Sequence, residues 1–133
     1  NVPNALGTSV YGPNYDKDTG IYTFVGSFLD YSQNVKGFVY QGKLDGLKDQ
    51  SNFIYPSINQ YFDTTFFHSY SNGLFVGNSG KTNKINETVS YIYDIDDISK
   101  IKTRIKFPNS ETTTTYGIWY NGNNRYNWKH KTL

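Results

Sequence analysis

From Ile21 to Leu29 apolar and polar residues alternate, placing Ile21, Thr23 and Val25 on one side of an extended chain and Tyr22 and Phe24 on the other. A period of two marks a half-buried β-strand. The same rhythm predicts strands over 9–11, 37–43, 52–55, 64–70, 74–78, 88–95, 100–107 and 112–120. Turn residues separate them: Asp18-Thr19-Gly20, Asp45-Gly46, Pro56, Ser71-Asn72-Gly73, Pro108-Asn109-Ser110 and Asn121-Gly122. Residues 1–6 read as an extended lead-in and 79–87 as a polar loop, and the one helix-like turn falls at 96–99.

These strands recur as a phrase. Thr8-Ser9-Val10-Tyr11-Gly12, Phe24-Val25-Gly26-Ser27 and Gly37-Phe38-Val39-Tyr40 form the first copy. Thr65-Phe66-Phe67-His68, Phe75-Val76-Gly77-Asn78 and Ser90-Tyr91-Ile92-Tyr93 form the second, and Thr114-Thr115-Tyr116-Gly117 opens a third. A period of about 50 residues, each copy a few short strands, is how propeller blades look in sequence. The expected fold is therefore all-β, made of four-stranded meander repeats in a single β-repeat domain over 1–133. Repeat 1 covers about 7–56, repeat 2 about 63–108 and a partial repeat 3 about 112–133. Two and a part blades leave sheet edges open, and rings typically take 4–8. The expectation that follows is a homo-oligomer, or a fragment of a longer repeat protein. The alternative is a two-sheet β-sandwich or small barrel, which would close at this length.

The pattern of Gly37-Phe38-Val39-Tyr40 and Ser90-Tyr91-Ile92-Tyr93, preceded by Val25-Gly26-Ser27 and Val76-Gly77-Asn78, resembles the HAF repeats of bacterial extracellular proteins, without their His-Ala pair. That resemblance implies a propeller-like protein that is secreted or exposed at the cell surface, and supplies no catalytic residues.

Composition narrows the rest. The chain has 13 Tyr, 9 Phe and 12 Gly, a balance that suits pleated sheets and tight turns. It has no Cys, which excludes a disulfide framework, thiolate zinc sites and cysteine nucleophiles. A formal charge of +2 is too small to imply a polyanion, so no nucleic acid partner is expected. No apolar run reaches the roughly 18 residues of a membrane span. The first residue is Asn1, so a leader or a larger N-terminal region is expected to have been removed.

Candidate chemistry concentrates near the end of the chain. Trp119, Tyr120 and Trp128 lie among Asn121, Asn123 and Arg125, with Tyr116 and Tyr126 close by. Aromatic faces stack on sugar C–H surfaces while amide and guanidinium groups bond hydroxyls, so a lectin-like glycan site fits. The same residues also suit a β core, with Tyr116 and Trp119 inside and the Asn and Gly residues in turns. Lys100, Lys102, Arg104 and Lys106 alternate with apolar residues, which puts four cations on one strand face; that face is an anion stripe or a solvated outer strand. Asp16, Asp18 and Gly20 read as a turn lacking the remaining ligands of a calcium loop. Asn86-Glu87-Thr88 matches a glycosylation acceptor. His68 stands at the position of Gly12 and Gly117 in the other copies, facing a confined centre. No nucleophile–base pairing or metal-ligand spacing appears, so an enzyme is disfavoured and no cofactor is expected. The function expected is a carbohydrate-binding module, and the alternative is a structural, self-assembling repeat with no small ligand.

Overall fold

In the computed structural model, residues 1–81, 84–110, 112–120 and 126–132 are described, of which 84–87, 120 and 126–132 by backbone alone. The protein is all-β, and its main sheet curls into a half-barrel. A first meander runs through β1 (Gly7–Asp16), β2 (Ile21–Leu29), β3 (Val35–Gly42) and the short β4 (Phe53–Ile54), each antiparallel to the strand before it. A second repeats that connectivity through β5 (Thr64–Ser71), β6 (Leu74–Lys81), β7 (Lys84–Asp94) and β8 (Thr103–Ile105). One parallel pair, Val35 opposite Thr64, joins the meanders into a single sheet. The β9 (Thr113–Tyr120) and β10 (Tyr126–Thr132) hairpin forms a separate two-stranded sheet.

Register shows why the phrase recurs. Phe24 pairs with Tyr40 and Gly26 with Phe38 in the first meander; Phe75 pairs with Tyr93 and Gly77 with Tyr91 in the second. On the opposite faces, Val25 pairs with Val39 and Ser27 with Gly37, matching Val76 with Ile92 and Asn78 with Ser90. The main core forms where the Val25–Val39 face of the first meander meets Phe67, Phe75, Tyr91 and Tyr93 of the second. Phe67 lies directly over Gly37, where a Cβ would come within 2.6 Å of its ring. Within this core a hydroxyl chain links Tyr91 to Ser79 and Ser79 to Thr65, and burial pushes the Tyr91 phenol far up.

The other face of the second meander receives β9. Asn78 Nδ2 donates to the Thr115 carbonyl at 2.9 Å, and the Thr115 N–H donates back to Asn78 Oδ1 at 2.9 Å. Ser90 Oγ donates to Thr115 Oγ1 at 2.5 Å. The protein is thus layered: first meander, second meander, hairpin. A second core cluster of Phe24, Phe38, Tyr40 and Phe53 sits on the outer face of the first meander, closed by Val2. The lead-in is therefore a plug, held by the Val2 N–H to Thr8 Oγ1 bond of 2.8 Å.

Several boundaries differ from expectation for physical reasons. The 79–87 loop is largely strand, because β6 and β7 continue pairing out to Lys81 and Lys84. Short 3-10 turns at Leu44–Lys48, Gln50–Asn52 and Ser57–Gln60 carry the chain around β4 and into β5, and are too short to show a helical period. The strand expected over 100–107 shrinks to β8. The Asp97 N–H donates to the Asp94 carbonyl and the Asp97 carboxylate accepts Ser99 Oγ, which draws 95–99 into a turn. Ser71-Asn72-Gly73 does make the hairpin turn, with φ of 44° at Asn72 and 91° at Gly73, the two positive values a type I′ turn requires.

Candidate binding site

The leading strands β5 and β9 break register just after one matching position, and β1 breaks one residue later, after Tyr11. Val10 pairs with Gly26 and Phe67 with Gly77, and Thr115 takes the place over Ser90 that Phe67 takes over Gly37. The residue that follows is Tyr11, His68 or Tyr116. His68 and Tyr116 are the extra residues of β-bulges, and in β1 the shift falls between Tyr11 and Asn14. A bulge re-aims its side chain out of the normal alternation. Here the three rings come together: Tyr11 and His68 centroids are 5.6 Å apart, and His68 and Tyr116 centroids 5.1 Å. Phe66 stacks on His68 at 5.9 Å with 16° between planes.

His68 therefore matches Tyr11 and Tyr116, not Gly12 and Gly117, because each directly follows an equivalent position, Phe67, Val10 or Thr115. The row borders an open cleft of about 350 Å³ lined also by Thr64, Asn78, Thr88 and Thr114. Among the described residues no carboxylate or ammonium lines it. Burial holds His68 below the ordinary histidine value, so its ring is neutral at pH 7 with one nitrogen donating and one accepting. Rings, hydroxyls and one neutral imidazole can hold a flat, hydroxyl-bearing, uncharged molecule. Among the described residues no group of three or more His, Cys, Asp or Glu is placed to hold a metal ion.

The residues picked out by sequence are placed unevenly. Trp119 lies on β9 and is 43% exposed, and Tyr116 is exposed as well, so neither belongs to the core. Ile118 between them is the buried one; Ser69 Oγ bonds both its N–H and its carbonyl at 3.2 Å. In the ladder Trp119 stands opposite Asn127 and Trp128 opposite Ile118, so the two tryptophans are not cross-strand partners. Tyr120 and Trp128 are described by backbone only, as is Asn86 of the glycosylation motif, while Asn121, Asn123 and Arg125 lie outside the described residues. Sequence reasoning did not reach Tyr11 and Phe66; their signal was the register shared by three strands, visible only once the bulges are known.

The row of four cations is broken up. The Lys102 ammonium is 3.7 Å from Asp94 Oδ2, and that of Lys100 is 3.8 Å from Asp97 Oδ2. Asp94 also accepts the Asp96 N–H at 3.0 Å, so these carboxylates organise a turn. Asp16 does the same for the Asp18 N–H at 2.9 Å. Among the described residues no helix is long and apolar enough to cross a membrane. Comparison with protein-family models, curated proteins and solved structures finds no match.

Proposed function

We propose that this protein is a secreted or surface-exposed binding module of stacked, propeller-like blades that takes a neutral carbohydrate in the cleft beside Tyr11, His68 and Tyr116. The observation that carries this reading is the row of three rings delivered by matching positions of three leading strands. A sugar ring laid on that row meets aromatic faces below and the hydroxyls of Thr64, Thr88 and Thr114 at its edges. Trp119 stands three residues beyond Tyr116 on the same strand and, being exposed, would supply an outer rim. The resemblance to extracellular HAF repeats implies the same location and a propeller-like fold.

Calorimetric titration of neutral oligosaccharides tests the assignment. Tyr116→Ala and His68→Ala should each weaken binding about five- to tenfold, the worth of one stacked aromatic contact. Unchanged affinity in both variants overturns the cleft as the site.

A second reading rests on a different observation. Val10 is 51% exposed, whereas Phe67 at the matching position is wholly buried under the first meander. An uncovered leading strand suits a structural repeat that receives a further unit. Self-association that persists on dilution and in free sugar would favour this reading over the lectin-like one.

A further inference from the structure

A second cleft, sharing no residue with the first, opens where the chain passes from one meander to the next. Ser57 and Ile58 of the 3-10 turn before β5, with Tyr61 and Phe62 just after it, form one wall. Tyr93 of β7, Arg104 of β8 and Ser99, Lys100 and Ile101 of the intervening turn form the other. Its volume is about 400 Å³. The floor is apolar: Ile58 is buried, and Phe62 and Ile101 pack on the main core. The rim is polar and cationic. Tyr61 is 70% exposed and stands at the mouth.

Arg104 is the distinctive member. Its strand pairs it opposite Tyr91, which fixes its backbone against the best-packed part of the sheet. The neighbouring lysines are engaged, Lys102 with Asp94 and Lys100 with Asp97. Among the described residues no carboxylate lies within ion-pair distance of Arg104. A guanidinium presents a rigid planar fork that matches a carboxylate bidentately, and it is only weakly hydrated, so it gives up water readily in a partly enclosed site. Fork, hydroxyls and apolar floor together define an amphipathic complement.

We propose that this cleft binds a small organic carboxylate with an apolar ring or chain, its carboxylate on Arg104 and its body against Ile58, Phe62 and Ile101. Tyr61 covers the ring from outside.

Benzoate is the probe, followed by chemical-shift changes in the isoleucine methyl groups of the whole chain. Saturable shifts at Ile58 and Ile101 are expected, with a dissociation constant of about 1 mM. Arg104→Gln should weaken binding at least tenfold while leaving the unfolding midpoint in place, since the side chain is exposed. Lys102→Gln, which lies outside the lining, should bind as the unsubstituted protein does. Tyr61→Ala should weaken benzoate by several fold and provides a second variant on an exposed position. Three results would each overturn the proposal: no shift at about 10 mM benzoate, full binding by Arg104→Gln, or equal occupancy by inorganic sulfate, which has no apolar body to place on the floor.

Discussion

Asn78→Ala is expected to unseat the β9–β10 hairpin. The amide of Asn78 satisfies both the N–H and the carbonyl of Thr115, each at 2.9 Å, and both residues are buried. Alanine would leave two backbone groups without partners in a dry interface. Each such orphan costs about 1–3 kcal/mol, and partial water entry lowers the sum, so a loss of about 3 kcal/mol is expected. With a urea slope of about 1.5 kcal/mol per molar, the midpoint falls by about 2 M, and the melting temperature by about 10 °C. Asn78→Asp adds a check of mechanism. Its carboxylate can still accept the Thr115 N–H, but its second oxygen faces the Thr115 carbonyl. That repulsion raises its pKa in the folded state, so its deficit relative to the unsubstituted protein should shrink as pH falls from 7 to about 4. A midpoint shift below about 0.5 kcal/mol for Asn78→Ala would refute the reasoning, because the clasp would then be worth no more than an exposed hydrogen bond.

The same register position in the first meander predicts the opposite response. Ser27 Oγ is buried without a partner among the described residues, so Ser27→Ala should be neutral or stabilise by up to about 1 kcal/mol in urea unfolding. Gly37→Ala should cost about 1–3 kcal/mol, because its Cβ would strike the enclosed Phe67 ring, and adding Phe67→Leu should recover part of that loss. Acid should weaken the fold through His68. Its folded-state pKa is depressed by burial, so the unfolded chain binds the extra proton first. Stability is full above about pH 6.5 and declines as pH falls from there through the folded value; His68→Gln should flatten that part of the curve, and an unaltered curve would remove His68 as its cause.

Much of the fold was legible because strand alternation is a local property. Ile21 to Leu29 could be read directly, and Asn72-Gly73 announced a turn that only positive φ values satisfy. The connectivity of the two meanders followed from the repeated phrase. What failed depended on contacts between distant residues. Strand pairing is set by distant partners, so matching by residue type set His68 against Gly12 and Gly117 instead of Tyr11 and Tyr116, which follow the equivalent ladder positions. Lys100 and Lys102 alternate like strand residues, yet Asp94 and Asp97 bend that segment into a turn. Val2 has no periodic partner at all; its burial reflects the uncovered aromatic face that it closes. The candidate site was the least visible part, since its rings come from three separate strands.

The two junctions between layers speak different chemical languages. At the first, the Phe67 ring fills the space left by Gly37. At the second, the matching pair is Thr115 and Ser90, joined through hydroxyls and framed by the Asn78 amide. A tandem copy of the second meander could not stack on its own parent: Phe67 would arrive where Ser90 already carries a side chain, and Asn78 would be denied its backbone partner. Divergence between copies therefore works as an address. Each layer accepts one neighbour in one order, which guards a repeated chain against the shuffled pairings that threaten identical repeats during folding.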